Sequence, residues 1–170
     1  FPDCEYHGID IDRSFNNDQR DFEAWHSFYE MDLTRLEFDV IPDNYFDFIR
    51  MAHVIEHLHN GDKVIEGLAP KLKPSGYIYI EYPGARSLTL PSMHGTLNFH
   101  DDPTHVRVYS VPELRKLLEQ NGFDILSSGT RRSPVFLAAM PFRVLGCWVR
   151  GTKLRAYIFW DLLGFAEYVL

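Results

Sequence analysis

Short apolar runs separated by polar turns recur along the chain, and stretches with helical spacing lie between them. Residues 6–11, 28–32, 46–51 and 77–82 each read as a β-strand, and so do 123–128 and 165–170. Residues 13–25 are polar with scattered aromatics (Phe15, Phe22, Trp25) and predict a loop holding a short helix. Pro42-Asp43-Asn44 and Pro74-Ser75-Gly76 are turn signals. Asn60 is placed to cap a helix that carries Val64, Ile65, Leu68 and Leu72 on one face, with Pro70 distorting its last turn. The clearest helix spans 111–121. Ser110 and Glu113 form a capping box, Pro112 sits in the first turn, Leu114, Leu117 and Leu118 line one face, and Gly122 stops it. Residues 134–160 are apolar and basic and predict helix. Strands alternating with helices mean an α/β fold with a mostly parallel sheet.

Charge divides this pattern. The net charge is −7, which argues against a general nucleic-acid binder. Yet the last quarter is basic: Arg131, Arg132, Arg143, Arg150, Lys153 and Arg155 face only two acids, and none lies between Asp124 and Asp161. This predicts one domain over residues 1–170 with a helical basic and apolar insertion at about 131–160. A chain of 170 residues is long enough to bury a core. Cys4 and Cys147 lie far apart without zinc spacing, so a reducing, cytoplasmic setting is the expectation. No signal peptide opens the chain, and no apolar run is long enough to span a bilayer.

Ligands of open α/β sheets bind at the carboxyl ends of strands. The residues there are Asp10, Asp32, Met51-Ala52-His53 and Tyr82-Pro83-Gly84. An acid in the position of Asp10 suits ribose hydroxyls, and a solvated strand-end acid is the plainer alternative for Asp10 and Asp32 alike. The segment from Asn98 to His105 gathers two histidines and two acids before the capped helix. Three readings stand open. Asp102 caps a turn while His105 bonds backbone; or His105 or His100 acts as a base; or the acids and histidine hold a divalent cation. His53 and His57 are four apart with Glu56 between, but spacing shows no third ligand, so no metal is assigned. His53 is a candidate for lining an acceptor pocket, and His57 for packing or capping.

YHGIDID at 6–12, YEMDL at 29–33 and FDFIRMAHVIEHL at 46–58 come in order with LAPKLKPSGYIYIEYP at 68–83, DPTHVRVYSVPELRKLLEQNGF at 102–123 and FWDLLGFAEYVL at 159–170. Together they resemble a class I S-adenosylmethionine-dependent methyltransferase of the type 11/23-like branch. The resemblance covers nearly the whole chain. It implies a Rossmann-like sheet, mostly parallel with an antiparallel last strand, of which this chain supplies six strands of seven. The first strand and its acidic glycine-rich motif would lie upstream of Phe1. It also implies S-adenosylmethionine as cofactor. Asp10 would hold the ribose hydroxyls, Ile11 would pack on adenine, and Asp32 would accept the adenine amino group. The Leu33 amide would reach a ring nitrogen, and the Ala52 backbone would face the methionine end.

Methyl transfer to a small-molecule, sugar or lipid-linked acceptor, on oxygen, is the leading functional expectation. His105 or His100 would be the base. A non-catalytic methyltransferase-like binding module and a nucleotide-binding dehydrogenase domain are the alternatives. Residues 134–160 are read as a cover over the sheet or a homodimer interface, and alternatively as a peripheral contact with anionic membrane.

Overall fold

The computed structural model describes residues 4–15 and 17–170. Residue 16, within the predicted 13–25 loop, lies outside the described residues. Strands β1 (Tyr6–Asp10) and β2 (Trp25–Glu30) pair in parallel, joined through helix α1 (Gln19–Ala24). A second sheet holds β3 (Phe46–Ala52), β4 (Leu72–Pro83), β5 (Ser128–Thr130) and β6 (Ala166–Val169) in the order β3-β4-β6-β5. β3 and β4 are parallel, and β6 runs antiparallel to both β4 and β5. β5 therefore points the same way as β3 and β4, and the last strand alone is reversed within this sheet. The break between the two sheets falls between β1 and β3, where the resemblance places its first, central strand. Side chains span it: the His7 ring meets the edges of Tyr45 and Phe46, with centroids 5.5 and 5.1 Å apart.

Helices α2 (Gly61–Leu68) and α3 (Val111–Gln120) cover one face of the larger sheet. Val64, Ile65 and Leu68 from α2 and Leu114 and Leu118 from α3 bury against Ile78, Ile80 and Tyr82 of β4. The Ser110–Glu113 capping box forms, and Gly122 follows α3 with φ +85, a left-handed turn that a β-carbon would strain.

Local geometry departs from the sequence reading at five places. β2 spans Trp25–Glu30 and not 28–32, so Asp32 lies beyond the strand and caps the next turn. Asn60 sits at the start of α2 without capping it; its amide instead donates to the Thr34 carbonyl at 2.9 Å and ties α2 to the turn after β2. α2 tightens after Leu68 into the 3-10 turn Ala69–Lys71, which contains Pro70 as expected, but Leu72 belongs to β4 and not to the helix face. The Pro74-Ser75-Gly76 turn is absorbed into β4 as an irregularity, with Ser75 at φ 68 and a register shift opposite Phe46 and Phe48. β5 is shorter and later than the predicted 123–128: Leu126 and Ser127 bond Leu170 alone through their backbones, while Phe123 and Ile125 pack against the core.

The basic insertion is helical only in part. α4 (Pro134–Val149) ends where the Thr152 N–H reaches back to the Cys147 carbonyl and Gly151 adopts φ +62. A single turn at Ala156–Ile158 and the short α5 (Trp160–Leu163) follow. Ala156, Phe165 and Ala166 then pack with Leu90, Leu97, Met93 and Trp160 in a second small apolar cluster. This cluster brings the end of the chain against the segment after β4.

Candidate active site at the strand ends

Asp10 ends β1 opposite Glu30 of β2, and Asp32 lies two residues beyond the end of β2. Asp10 closes β1, and its carbonyl accepts the Met31 N–H at 2.8 Å, which holds the carboxyl ends of β1 and β2 together. One oxygen of Asp10 accepts the Ile11 and Asp12 amides at 2.7 and 3.3 Å, and the other has no hydrogen-bond partner among the described residues. Asp32 caps the turn Leu33–Arg35 by accepting the Thr34 N–H and hydroxyl. Those bonds lower its pKa, helped by Arg35 and His59 and opposed by desolvation. The Leu33 N–H has no acceptor among the described residues. Ile11 lies exposed next to Asp10, and Ala52 ends β3. A ribose diol, an adenine edge and an apolar ring face would thus meet a free carboxylate oxygen, a free amide and an uncovered isoleucine. The residues present fit an adenosyl group.

Beyond Ala52 the backbone turns sharply. His53 takes φ +55, unusual for a residue other than glycine, while its N–H still bonds the Glu81 carbonyl at 2.8 Å. Ile55–His57 then form one tight turn. It buries the Glu56 side chain to 1 % exposure. The Glu56 carbonyl accepts the Val106 and Arg107 amides, so the segment after His105 is strapped to this turn. The loop from Asn98 to His105 is tightly built. Asp101 accepts the amides of Met93, Leu97 and Asn98. Burial would raise its pKa, but these N–H donors hold it at about 2. Asp102 accepts the Thr104 N–H and hydroxyl.

This geometry places His57 and His105 together, with ring centroids 4.8 Å apart. His105 Nδ1 lies 2.7 Å from the Phe99 carbonyl, so that nitrogen must carry a proton and Nε2 the lone pair. His57 Nδ1 lies 2.9 Å from the Thr104 hydroxyl, whose own proton goes to Asp102; it too must donate. The ring of His105 is 4 % exposed, with Nε2 4.0 Å from Glu56 and from Asp102. His100 stays outside this cluster: it is exposed, and its ring makes only an edge contact with Phe99.

A second set of charges joins the ends of β3 and β4 to the basic insertion. His53 lies 3.2 Å from Glu56 and 3.4 Å from Glu81, the second contact being an ion pair without hydrogen-bond alignment. Burial alone would lower the His53 pKa, but the two carboxylates raise it to about 9. Burial would raise that of Glu81, yet His53, the Tyr79 hydroxyl and Arg131 bring it to about 2. Arg131 also bonds the buried Asp161 at 3.0 Å, and Asp161 accepts the Ser133 amide at the start of α4. Trp160 packs its ring 5.0 Å from that of His53.

Sequence reasoning singled out His53 but not its partners Glu81, Arg131, Asp161 and Trp160. An acid inside the apolar strand IEYP was the one available signal. A groove of about 770 Å³ lies elsewhere, at the amino end of β4 among Leu72, Tyr77 and Phe123. It is remote from the strand ends, where the chemistry-bearing side chains converge.

The chain is similar to known proteins at two levels. The model of a methyltransferase domain family matches residues 2–128. No curated protein matches. Among solved structures, an S-adenosylmethionine-dependent methyltransferase from Archaeoglobus fulgidus is 22 % identical, with 96 % of this chain and 74 % of that one covered and a TM-score of 0.56. Another, from Mesorhizobium loti, is 12 % identical over 97 % and 78 % of the two chains, with a TM-score of 0.66. The complex between the Haloferax volcanii Trm112 methyltransferase activator and a methyltransferase matches at 15 % identity, 97 % and 70 % coverage and a TM-score of 0.62. These likenesses concern the fold, whereas the family match spans more than half of the chain. The chain therefore belongs to the methyltransferase domain family and is an S-adenosylmethionine-dependent methyltransferase.

Proposed function

We propose that the protein methylates a hydroxyl group of a small-molecule, sugar or lipid-linked acceptor. S-adenosylmethionine supplies an electrophilic methyl group on a sulfonium. The chain's own residues bind it, orient the acceptor and receive the hydroxyl proton. In this reading Asp10 accepts the ribose hydroxyls through its open oxygen, and Ile11 covers one face of adenine. Asp32 and the Leu33 amide take the adenine edge, and the backbone at Ala52 borders the methionine end. The observation that carries the hydroxyl assignment is His105. Its Nδ1–H is held by the Phe99 carbonyl, so in the neutral ring the lone pair lies on Nε2, 4.0 Å from Glu56 in the turn after β3. A fixed neutral imidazole is suited to take a proton near neutral pH. His100, exposed one turn earlier, is the alternative base.

The insertion supplies the lipid side of the reading. α4 has no buried residue, and Phe142 and Trp148 are 74 % and 79 % exposed. Arg143 lies over the rings of Phe136 and Tyr157, at 5.6 and 5.1 Å. Arg131 is committed to Glu81 and Asp161, which leaves Arg132, Arg143, Arg150, Lys153 and Arg155 with no acid between residues 124 and 161. An apolar helix among cations complements an anionic lipid surface. No helix among the described residues is long and apolar enough to cross a membrane, so contact would be peripheral.

The test is a panel of sugars, phenols and polyprenyl-phosphate-linked sugars incubated with the protein and methyl-labelled S-adenosylmethionine. Mass spectrometry should find one added methyl group on an oxygen. Methylation confined to nitrogen or carbon would overturn the hydroxyl assignment, and cofactor binding without transfer to any acceptor would favour a binding module.

A further inference from the structure

We propose that Glu56, His57 and His105 form a binding site for a divalent first-row transition-metal ion of zinc's kind. One ligand atom from each of the three lies within 4.8 Å of the others. The three come from separate places in the sequence, the turn after β3 and the loop before α3, and the bonds from Val106 and Arg107 to the Glu56 carbonyl hold these places together. Ligand atoms about 2.0–2.1 Å from a tetrahedral ion stand about 3.3 Å apart, so closing on the ion requires shifts of about 1 Å.

Three independent features favour a cation over a plain polar cluster. Both imidazoles are held as the tautomer with the lone pair on Nε2, His105 by the Phe99 carbonyl and His57 by Thr104 and Asp102. Metal-binding histidines are typically fixed in this way, the second nitrogen donating to an oxygen. Glu56 is 1 % exposed, and while Oε1 meets His53, Oε2 is buried with no hydrogen-bond partner among the described residues. Oε1, which faces His105 at 4.0 Å, is shared with His53, and a cation held through either oxygen would offset the cost of burying this carboxylate. Asp102 Oδ2 lies 4.0 Å from His105 Nε2, just outside the mutual cluster of three, and is a fourth ligand atom that a further shift of its loop would bring in. Two imidazoles with carboxylate oxygens suit zinc and its neighbours better than magnesium or calcium, which favour all-oxygen shells.

Binding itself needs nothing from the hydroxyl-methylation reading; only the ion's role rests on it. With the ion bound, an acceptor hydroxyl oxygen would enter the shell and, acidified there, lose its proton to bulk water, so that His105 is a ligand; without the ion His105 takes that proton directly.

The experiment is calorimetric titration of the chelator-treated, full-length protein with zinc chloride, and with manganese and magnesium chloride in parallel. Metal content after dialysis is measured by mass spectrometry, and cobalt(II) substitution is followed by visible absorption. One zinc per chain is expected, with magnesium bound at least tenfold more weakly. His57→Ala and His105→Ala should each weaken zinc binding tenfold or more and abolish the cobalt absorption. Glu56→Gln should do the same, and because Glu56 is buried, its circular dichroism is compared with that of the unaltered protein; the two histidine variants carry the test if it fails to fold. No stoichiometric zinc, or zinc affinity unchanged in both histidine variants, overturns the site. Hydroxyl methylation without metal binding would leave His105 as a direct base, whereas zinc binding with methylation only on nitrogen would leave the site and remove the hydroxyl reading.

Discussion

The imidazole of His53 lies 3.4 Å from the carboxylate of Glu81, at the carboxyl ends of the neighbouring parallel strands β3 and β4. Their pKa values are displaced in opposite directions, to about 9 and about 2. For His53, raised from 6.5, the stabilisation is full below pH 6.5 and is lost as pH rises through about 9. For Glu81, lowered from 4.5, it is present above pH 4.5 and lost as pH falls toward about 2. Thermal unfolding should therefore show greatest stability between these limits and a decline of order 2 kcal/mol on the alkaline side. His53→Gln should flatten that alkaline decline. A wild-type curve already flat from neutral pH to pH 10 would show that the pair is not charged as described.

Asp10 offers one open carboxylate oxygen beside an exposed isoleucine. Asp10→Ala should weaken S-adenosylmethionine binding by about 1–3 kcal/mol, the scale of a lost charge-assisted hydrogen bond. Isothermal calorimetry measures this directly. Unchanged affinity would remove Asp10 from the cofactor site.

His105 is predicted to act on the acceptor side alone. His105→Ala should lower the methyl-transfer rate by about 10²-fold or more, the lower end for a lost proton-transfer group. Cofactor affinity, read by calorimetry, should stay within about twofold. Equal loss of cofactor binding would recast His105 as a structural residue that holds the Asn98–His105 loop through Phe99.

Asp161 anchors the start of α4 by accepting from Arg131 and from the Ser133 amide. It is buried, so Asp161→Ala strands the Ser133 N–H and leaves Arg131 paired with Glu81 alone, a loss of about 1–3 kcal/mol. Hydrogen exchange should accelerate across 133–149 while α2 and α3 keep their protection. Uniform acceleration along the chain would mean that Asp161 supports the whole fold and not the attachment of α4.

The insertion should bring the protein down with anionic liposomes and release it as salt rises. Replacing Trp148 and Arg150 together should reduce that sedimentation without a change in thermal stability, since both are exposed. Equal and poor binding to anionic and neutral vesicles would leave a dimer interface or a cover as the role of α4, and analytical ultracentrifugation separates those two.

The sequence alone determined the local elements whose causes are local. The α3 helix is legible because its capping box, leucine spacing and stop glycine all lie within a dozen residues, and the alternation of strands with helices fixed an α/β class. The strand-end acids Asp10 and Asp32 were visible for the same reason, since each follows directly on an apolar run. Where partners are remote, the tertiary structure decided. β5 was displaced because Leu170 bonds Leu126 and Ser127, and Asn60, at the N-cap position, turns its side-chain N–H to the Thr34 carbonyl while its Oδ1 takes no N–H of the helix. Most of all, His57 and His105 stand 48 positions apart and reveal no ligand spacing. The strap from Val106 and Arg107 to the Glu56 carbonyl, with the bond from His57 to Thr104, brings their rings together. Periodicity encodes which face of an element is apolar, but it carries no information on which two loops the packed sheet will set side by side.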